Sequence, residues 1–106
     1  MTEQKEKELE EEFIQALSTE YTENRKLVNE NLVGDELLEN EHVQKCFIIN
    51  SVMSSRPNLE AGLVCWIGDN KDIKKFINSY KITFLKTCIG YTYSVDYIDD
   101  TSKKNN

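Results

Sequence analysis

The chain is 106 residues long and carries 13 Lys and Arg against 19 Asp and Glu, a formal net charge of −6. This length gives room for one hydrophobic core, so we expect a single domain over residues 1–98 and a disordered polar tail over 99–106. The sequence has no apolar run near the roughly 18–20 residues that cross a bilayer and no secretory signal pattern, so we expect a cytoplasmic protein without membrane contact. The acidic balance makes nucleic-acid binding an unfavourable hypothesis, since such binding depends on neutralising phosphates.

The charge is unevenly distributed along the chain. Residues 1–42 hold thirteen acidic and four basic side chains, a net charge of −9, whereas residues 43–106 carry a net charge of +3. One interpretation is a solvated acidic helix beside a domain of mixed charge. The alternative is that the acidic segment contacts a basic surface, either on a partner protein or on a second copy packed head to tail.

The first 42 residues are predicted to form two or three helices. An amphipathic helix over 2–21 is indicated by apolar residues that recur every four positions, namely Leu9, Phe13, Leu17 and Tyr21. A break near residue 20 is an alternative, because Ser18, Thr19 and Thr22 are weak helix formers. A second helical stretch over 27–33 would end at Gly34, and Asp35 suits the N-cap of a further short helix.

Residues 46–53 and 59–67 are predicted to form a β-hairpin. Residues 46–53 are rich in β-branched and aromatic side chains and are apolar on both faces, which is typical of an interior strand. The only proline, Pro57, follows in a turn-forming segment. Residues 59–67 then alternate with a period of two, which indicates the second strand.

A helix and one or two further strands complete the predicted order. Ile73, Phe76, Ile77 and Tyr80 have helical spacing, which predicts a helix over 71–80. The period returns to two from Ile82 onward, with a bulge or bend before Gly90. We therefore predict an α+β fold in which N-terminal helices (1–42) pack on a sheet-bearing segment (45–98). That sheet would be small, mostly antiparallel and of three or four strands, with one inserted helix.

The cysteines and the single histidine carry no strong chemical signature. Cys46, Cys65 and Cys88 are odd in number and form no Cys-x-x-Cys pair, so free, buried thiols of a reducing compartment are favoured. A zinc site with His42 lacks the usual close ligand pairs, and we expect no metal. A Cys65 or Cys88 nucleophile with His42 as its base has no local motif either. We therefore expect no enzyme and no cofactor, with His42 on the surface.

The most distinctive local feature is a run of tyrosines near the C-terminus. Tyr91, Tyr93 and Tyr97 share one face of a predicted strand, where they either pack beneath the helices or form an interface. Tyr and Trp are common hot-spot residues, and Trp66 is predicted to lie on the neighbouring strand. Together with the opposite charge of the two halves of the chain, an exposed aromatic strand with an open edge predicts a homodimer. A stacking platform for single-stranded nucleic acid is disfavoured by the acidic helices.

The leading hypothesis is a small interaction protein that occupies a basic surface of another protein, as an inhibitor, immunity or phage anti-defence protein would. Glutamates on a helix can imitate a row of phosphates in a basic groove. The candidate contact residues are Glu6, Glu8, Glu10, Glu11, Glu12, Tyr91, Tyr93 and Tyr97. The alternative is a small-molecule or nucleotide-binding sensory module, whose pocket would lie between the sheet and helix 71–80 and be lined by Trp66, Tyr80 and Tyr91.

Overall fold

The computed structural model describes residues 3–98, which form five helices packed on a two-stranded antiparallel sheet. The elements are α1 (Glu3–Leu27), α2 (Asp35–Glu39), α3 (Glu41–Val52), α4 (Arg56–Gly68), α5 (Ile73–Asn78), β1 (Tyr80–Thr87) and β2 (Gly90–Tyr97). The predicted α+β class is confirmed, but the sheet of the described residues has two strands rather than three or four. The expected tail over 99–106 lies outside the described residues. Within residues 3–98, no helix has the length and apolar character needed to cross a membrane.

Helix α1 is longer than the sequence pattern indicates. Its apolar stripe begins with the fully buried Phe13 and Leu17, and the same face continues through the buried polar residues Glu20 and Asn24. Helix α1 is therefore continuous through residue 20, and the alternative of a break there is wrong. A second helix over 27–33 does not form, because α1 ends at Leu27 and the following residues connect it to α2.

The predicted hairpin over 46–53 and 59–67 is wrong, since both segments are helical. Helix α3 packs on both α1 and β1. Because consecutive residues of this helix are buried, it buries side chains over more than one face. Its buried residues are Val43, Cys46, Ile48, Ile49 and Val52. A short apolar run that is buried on two sides has the same pattern in a helix as in an interior strand. Tertiary packing therefore overrides the strand propensity of the β-branched residues.

Helix α4 begins where the sequence pattern predicted a hairpin turn. The Ser55 hydroxyl accepts a hydrogen bond from the Asn58 amide at 3.3 Å, and Pro57 lies in the first helical turn. A Ser N-cap with a following Pro is typical of a helix start. The buried stripe of α4 consists of Gly62 and Trp66, four residues apart, which is a helical period.

The helix predicted over 71–80 is shorter in the structure, because α5 ends at Asn78 and Tyr80 is the first residue of β1. The strands β1 and β2 confirm the period-two prediction. They are joined by a two-residue turn at Cys88 and Ile89, so the expected bulge or bend is a hairpin turn. Gly90 follows the turn with a φ of +143°, a conformation that side-chain-bearing residues rarely adopt. The register pairs Tyr80 with Tyr97 at the open end and Thr87 with Gly90 at the turn.

Helix α4 packs closely against the rest of the core at Gly62. A Cβ atom built at this glycine would lie 2.9 Å from Val52 Cγ1, 3.3 Å from Phe13 Cζ and 3.4 Å from Phe76 Cζ. Three other elements, α1, α3 and α5, therefore meet α4 at this point. The missing side chain allows α4 to approach them closely enough to bury Trp66.

We predict that Gly62→Ala lowers the free energy of unfolding by about 1–2 kcal/mol. Overpacking a core costs about 1–3 kcal/mol, and the better helix propensity of alanine offsets up to about 1 kcal/mol of that. Gly68→Ala is the matched control in the same helix, because no atom lies within 4 Å of a Cβ atom there. Urea unfolding of both variants provides the measurement. Equal stability of the two variants would contradict the close contact at Gly62.

Candidate functional site

The candidate site is the tyrosine face, which we define as Tyr91, Tyr93 and Tyr97 of β2. These residues alternate along the strand and pair with Lys86, Phe84 and Tyr80 of β1, respectively. Strand β1 packs on α3, and β2 is the outer strand of the hairpin. The three tyrosines keep 45%, 46% and 37% of their surface exposed. The predicted common face is therefore present, and it is half exposed.

Each tyrosine of this face is held by a contact within the chain. The Tyr91 hydroxyl donates a 2.7 Å hydrogen bond to Asp35 Oδ1, and this bond raises the pKa of Tyr91. The Tyr93 ring packs edge-on against Phe47 of α3, with ring centroids 5.0 Å apart. The Tyr97 hydroxyl lies 3.4 Å from Asp69 Oδ2, and desolvation raises the pKa of Tyr97 to about 12.

A chain of aromatic contacts connects the tyrosine face to the core. Trp66 packs on Phe13 with ring centroids 5.1 Å apart, and Phe13 meets Phe76 edge-on at 5.4 Å. Phe76 in turn contacts Tyr80 at 5.1 Å, and Tyr80 contacts Tyr97 at 5.1 Å. Edge-to-face contacts of this kind have a preferred geometry. The position of Tyr97 is therefore set by the interior of the protein.

The structure does not bring Trp66, Tyr80 and Tyr91 into one pocket. Trp66 is a buried core residue of α4 rather than a strand residue next to the tyrosines. Tyr91 lies six residues along β2 from the partner of Tyr80, which is about 20 Å of strand. Tyr80 instead lines an open cleft of about 250 Å³ between the helices and the hairpin. The cleft residues are Ser51, Val52, Asn58, Ala61, Cys65, Tyr80, Val95 and Tyr97.

The five candidate glutamates of α1 divide into two groups. Arg56 forms a two-pronged ion pair with the Glu10 carboxylate, and its hydrogen bonding lowers the pKa of Glu10. Glu12 lies 3.6 Å from Lys71 Nζ. The remaining exposed glutamates, Glu6, Glu8 and Glu11, form no ion pair with another described residue. Two of the candidate glutamates, Glu10 and Glu12, thus contact Arg56 and Lys71, whereas the tyrosine face contacts Asp35, Phe47 and Asp69.

Sequence reasoning missed a polar network around His42. The Asn24 amide donates to the Glu20 carbonyl oxygen at 2.8 Å, so the 2.9 Å contact of Asn24 Oδ1 with His42 Nδ1 requires a proton on that ring nitrogen. The Glu20 carboxylate accepts a 3.0 Å hydrogen bond from Lys74 Nζ, and this bond raises the pKa of Lys74. His42 is half-buried rather than exposed. The sequence does contain a pattern that indicates burial of Glu20 and Asn24, since these residues continue the helical spacing of Phe13 and Leu17.

The cysteines lie in three different environments. Cys46 is buried, and desolvation raises the pKa of its thiol. Cys65 lines the open cleft beside Tyr80, and Cys88 is exposed in the hairpin turn, so Cys46 alone has the expected burial. His42 lies in a different cavity, of about 180 Å³, with Glu20 and Lys74. Among residues 3–98, no three His, Cys, Asp or Glu side chains are grouped so that they could hold a metal ion.

We predict that Tyr80 weakens the fold above about pH 10, the ordinary range of tyrosine ionisation. Burial raises the pKa of Tyr80, so the folded state favours the neutral phenol. This stabilisation is fully present below the unfolded pKa and is lost as pH rises toward the folded pKa. Thermal unfolding of the wild type and Tyr80→Phe at stepwise alkaline pH provides the measurement. As the pH rises, the Tm of the Tyr80→Phe variant should fall less than that of the wild type. An identical dependence of Tm on pH in the two proteins would rule out this contribution of Tyr80.

Comparison with protein-family models, curated protein sequences and solved structures finds no match to this chain. An assignment of function therefore depends on the residues described above. Of these, the tyrosine face and the unpaired glutamates of α1 are both exposed and chemically distinctive.

Proposed function

We propose that the protein binds another protein and that the tyrosine face is its contact surface. The proposal is carried by one observation, namely that the three tyrosines are half exposed although each is held by a contact within the chain. Association normally costs the entropy of ordering flexible side chains at the interface. Side chains that are already ordered avoid much of this cost, and the tyrosine face therefore binds as a preformed surface.

The chemistry of the face suits a protein partner. A tyrosine offers a large apolar ring for burial and a hydroxyl for hydrogen bonding, and tyrosines are enriched among hot-spot residues. Ile89 in the hairpin turn is 96% exposed and adds an apolar contact next to Tyr91 along the chain. The surface thus combines aromatic side chains with an exposed apolar residue in the hairpin turn, and aromatic residues are enriched in protein interfaces.

The acidic helix contributes in a different way, by attracting a partner of opposite charge. Glu6, Glu8 and Glu11 are exposed without a neutralising partner among the described residues, and they belong to α1, which carries none of the three tyrosines. Charges outside a contact surface act mainly on the rate of encounter. The partner is therefore basic, which also suits an inhibitor, immunity or anti-defence protein that occupies a basic surface of its target.

We predict that Tyr91→Ala and Tyr93→Ala each weaken partner binding by about tenfold or more, as expected of hot-spot residues. Thr92→Ala and Ser94→Ala are matched controls, because these residues lie on the opposite face of the same strand. The partner would be captured from the native host with the wild-type protein and then purified for calorimetry against all four variants. Circular dichroism would verify folding. Unchanged affinity of both tyrosine variants would refute the proposed surface.

We also predict a kinetic separation between the two surfaces. Replacing Glu6, Glu8 and Glu11 together with glutamine should lower the association rate and its salt dependence while leaving the dissociation rate unchanged. The tyrosine variants should instead raise the dissociation rate. Surface plasmon resonance at two salt concentrations separates the effects. A faster dissociation of the glutamine variant would show that the glutamates are part of the contact and not a steering charge.

A further inference from the structure

We infer that a groove between α1 and α3 binds a small apolar molecule that carries one carboxylate, and that Arg25 is the residue that binds this carboxylate. A medium-length fatty acid belongs to this class of molecule. None of the three tyrosines of β2 lines the groove, so the inference goes beyond the proposed function and does not depend on it.

The α1–α3 groove has a volume of about 240 Å³ and lies where the two helices contact each other. Its apolar lining consists of Tyr21, Val28, Leu37, Val43, Cys46 and Phe47. Ligand sites are typically concave, with a mostly apolar lining and a small number of polar groups. The volume is below the roughly 300–1,000 Å³ of sites for drug-sized ligands, so the groove suits a smaller molecule.

The apolar lining is only partly covered by the rest of the chain. Val43 and Cys46 are buried and form the floor of the groove. The other four apolar side chains are half-buried, so part of the apolar surface around the groove remains in contact with water. Removing such surface from water is favourable, and an apolar molecule in the groove would do so.

The charge of the groove indicates the second feature of the ligand. Among the described residues that line it, Arg25 alone is charged, and none is an Asp or Glu. Arg25 also forms no salt bridge with another described residue. A guanidinium binds a carboxylate through two parallel hydrogen bonds. One cation balances the single charge of a carboxylate, whereas a phosphate monoester carries about 1.5 to 2 negative charges near neutral pH.

The two helices place Arg25 toward one end of the groove. They run antiparallel, because Asn24 contacts His42, whereas Tyr21, one turn earlier in α1, contacts Cys46, one turn later in α3. Arg25 therefore lies toward the Val43 end. The stretch of α3 that lines the groove, residues 43–50, is about 10 Å long at 1.5 Å per residue. A carboxylate bound by Arg25 thus leaves the length of the groove for an apolar chain.

The charge of Arg25 also acts on the floor of the groove. Desolvation by burial raises the pKa of the Cys46 thiol, and the positive charge of Arg25 opposes this shift. The guanidinium is therefore close enough to the floor to interact with a charged group bound there. A neutral ligand would leave this charge unpaired, and a cationic ligand would be repelled by it.

The test titrates the full-length, isotope-labelled protein with octanoate and with two probes that each lack one feature. Octanamide keeps the apolar chain without the charge, and acetate keeps the carboxylate without the chain. Octanoate should bind at least about tenfold more tightly than either probe, with the largest amide shifts at the residues that line the groove. Equal binding of octanamide would overturn the inference. Absence of octanoate binding would also overturn it and would leave the proposed function standing, since that proposal is tested by the tyrosine variants.

Two neighbouring residues of α1 provide a matched pair of variants. Arg25→Gln should weaken octanoate binding about tenfold, because it removes the cation at the groove. Lys26→Gln removes the same charge from a different part of the surface, beside Thr19 and Thr22, and should leave the affinity unchanged. Both side chains are exposed, so both variants should fold, and circular dichroism would verify this. Equal weakening by the two variants would overturn the inference, because it would indicate attraction to surface charge without a site.

A segment of another protein is the competing occupant. A short peptide with one glutamate between leucines offers the same carboxylate and a similar apolar surface. Binding of this peptide more weakly than octanoate would support the small molecule. Tighter binding of the peptide, with amide shifts at the same residues, would identify a protein segment as the occupant and would overturn the inference.

Discussion

The absence of a side chain at Gly62 is the packing constraint on which the rest of the structure depends. It lets α4 approach Val52, Phe13 and Phe76 at once, and this approach buries Trp66 one turn further along the same helix. The rings that meet there continue through Tyr80 to the outer strand. The position of Tyr97 therefore depends on a helix crossing at the centre of the protein, whereas Tyr91 and Tyr93 are held by Asp35 and Phe47.

The charge asymmetry of the sequence is partly neutralised within the fold. Arg56 and Lys71 come from the basic C-terminal part of the chain, and they contact Glu10 and Glu12 of the acidic helix. Exposed ion pairs of this kind contribute little to stability, so their main consequence is to reduce the exposed charge. Lys74 differs because its partner Glu20 is buried, and leaving that carboxylate unpaired would be costly. Glu6, Glu8 and Glu11 keep their charge exposed, as do further acidic residues such as Glu30 and Glu36.

Local periodicity predicted the elements with one clear apolar stripe and failed for α3 and α4, for two different reasons. Helix α1 and the final strands each have one clear stripe, and both were predicted in type. Helix α3 is packed from two sides, which removes the amphipathic signal, and in α4 the key buried position is a glycine rather than an apolar residue. The common face of the tyrosines followed from a period of two. The hydrogen bonds that hold these tyrosines could not be predicted in this way, because Asp35 is 56 residues from Tyr91 and Asp69 is 28 residues from Tyr97.

A two-stranded sheet is marginal on its own, and three strands or packing against a helix are needed for independent stability. Here the hairpin meets this requirement through β1, which is held to α3 by the contact of Phe47 with Phe84. Strand β2 pairs with β1 and packs through Tyr93 on Phe47 of α3, while no other strand among residues 3–98 pairs with its second edge. The hairpin therefore needs no third strand, and its order depends on the helix against which it packs.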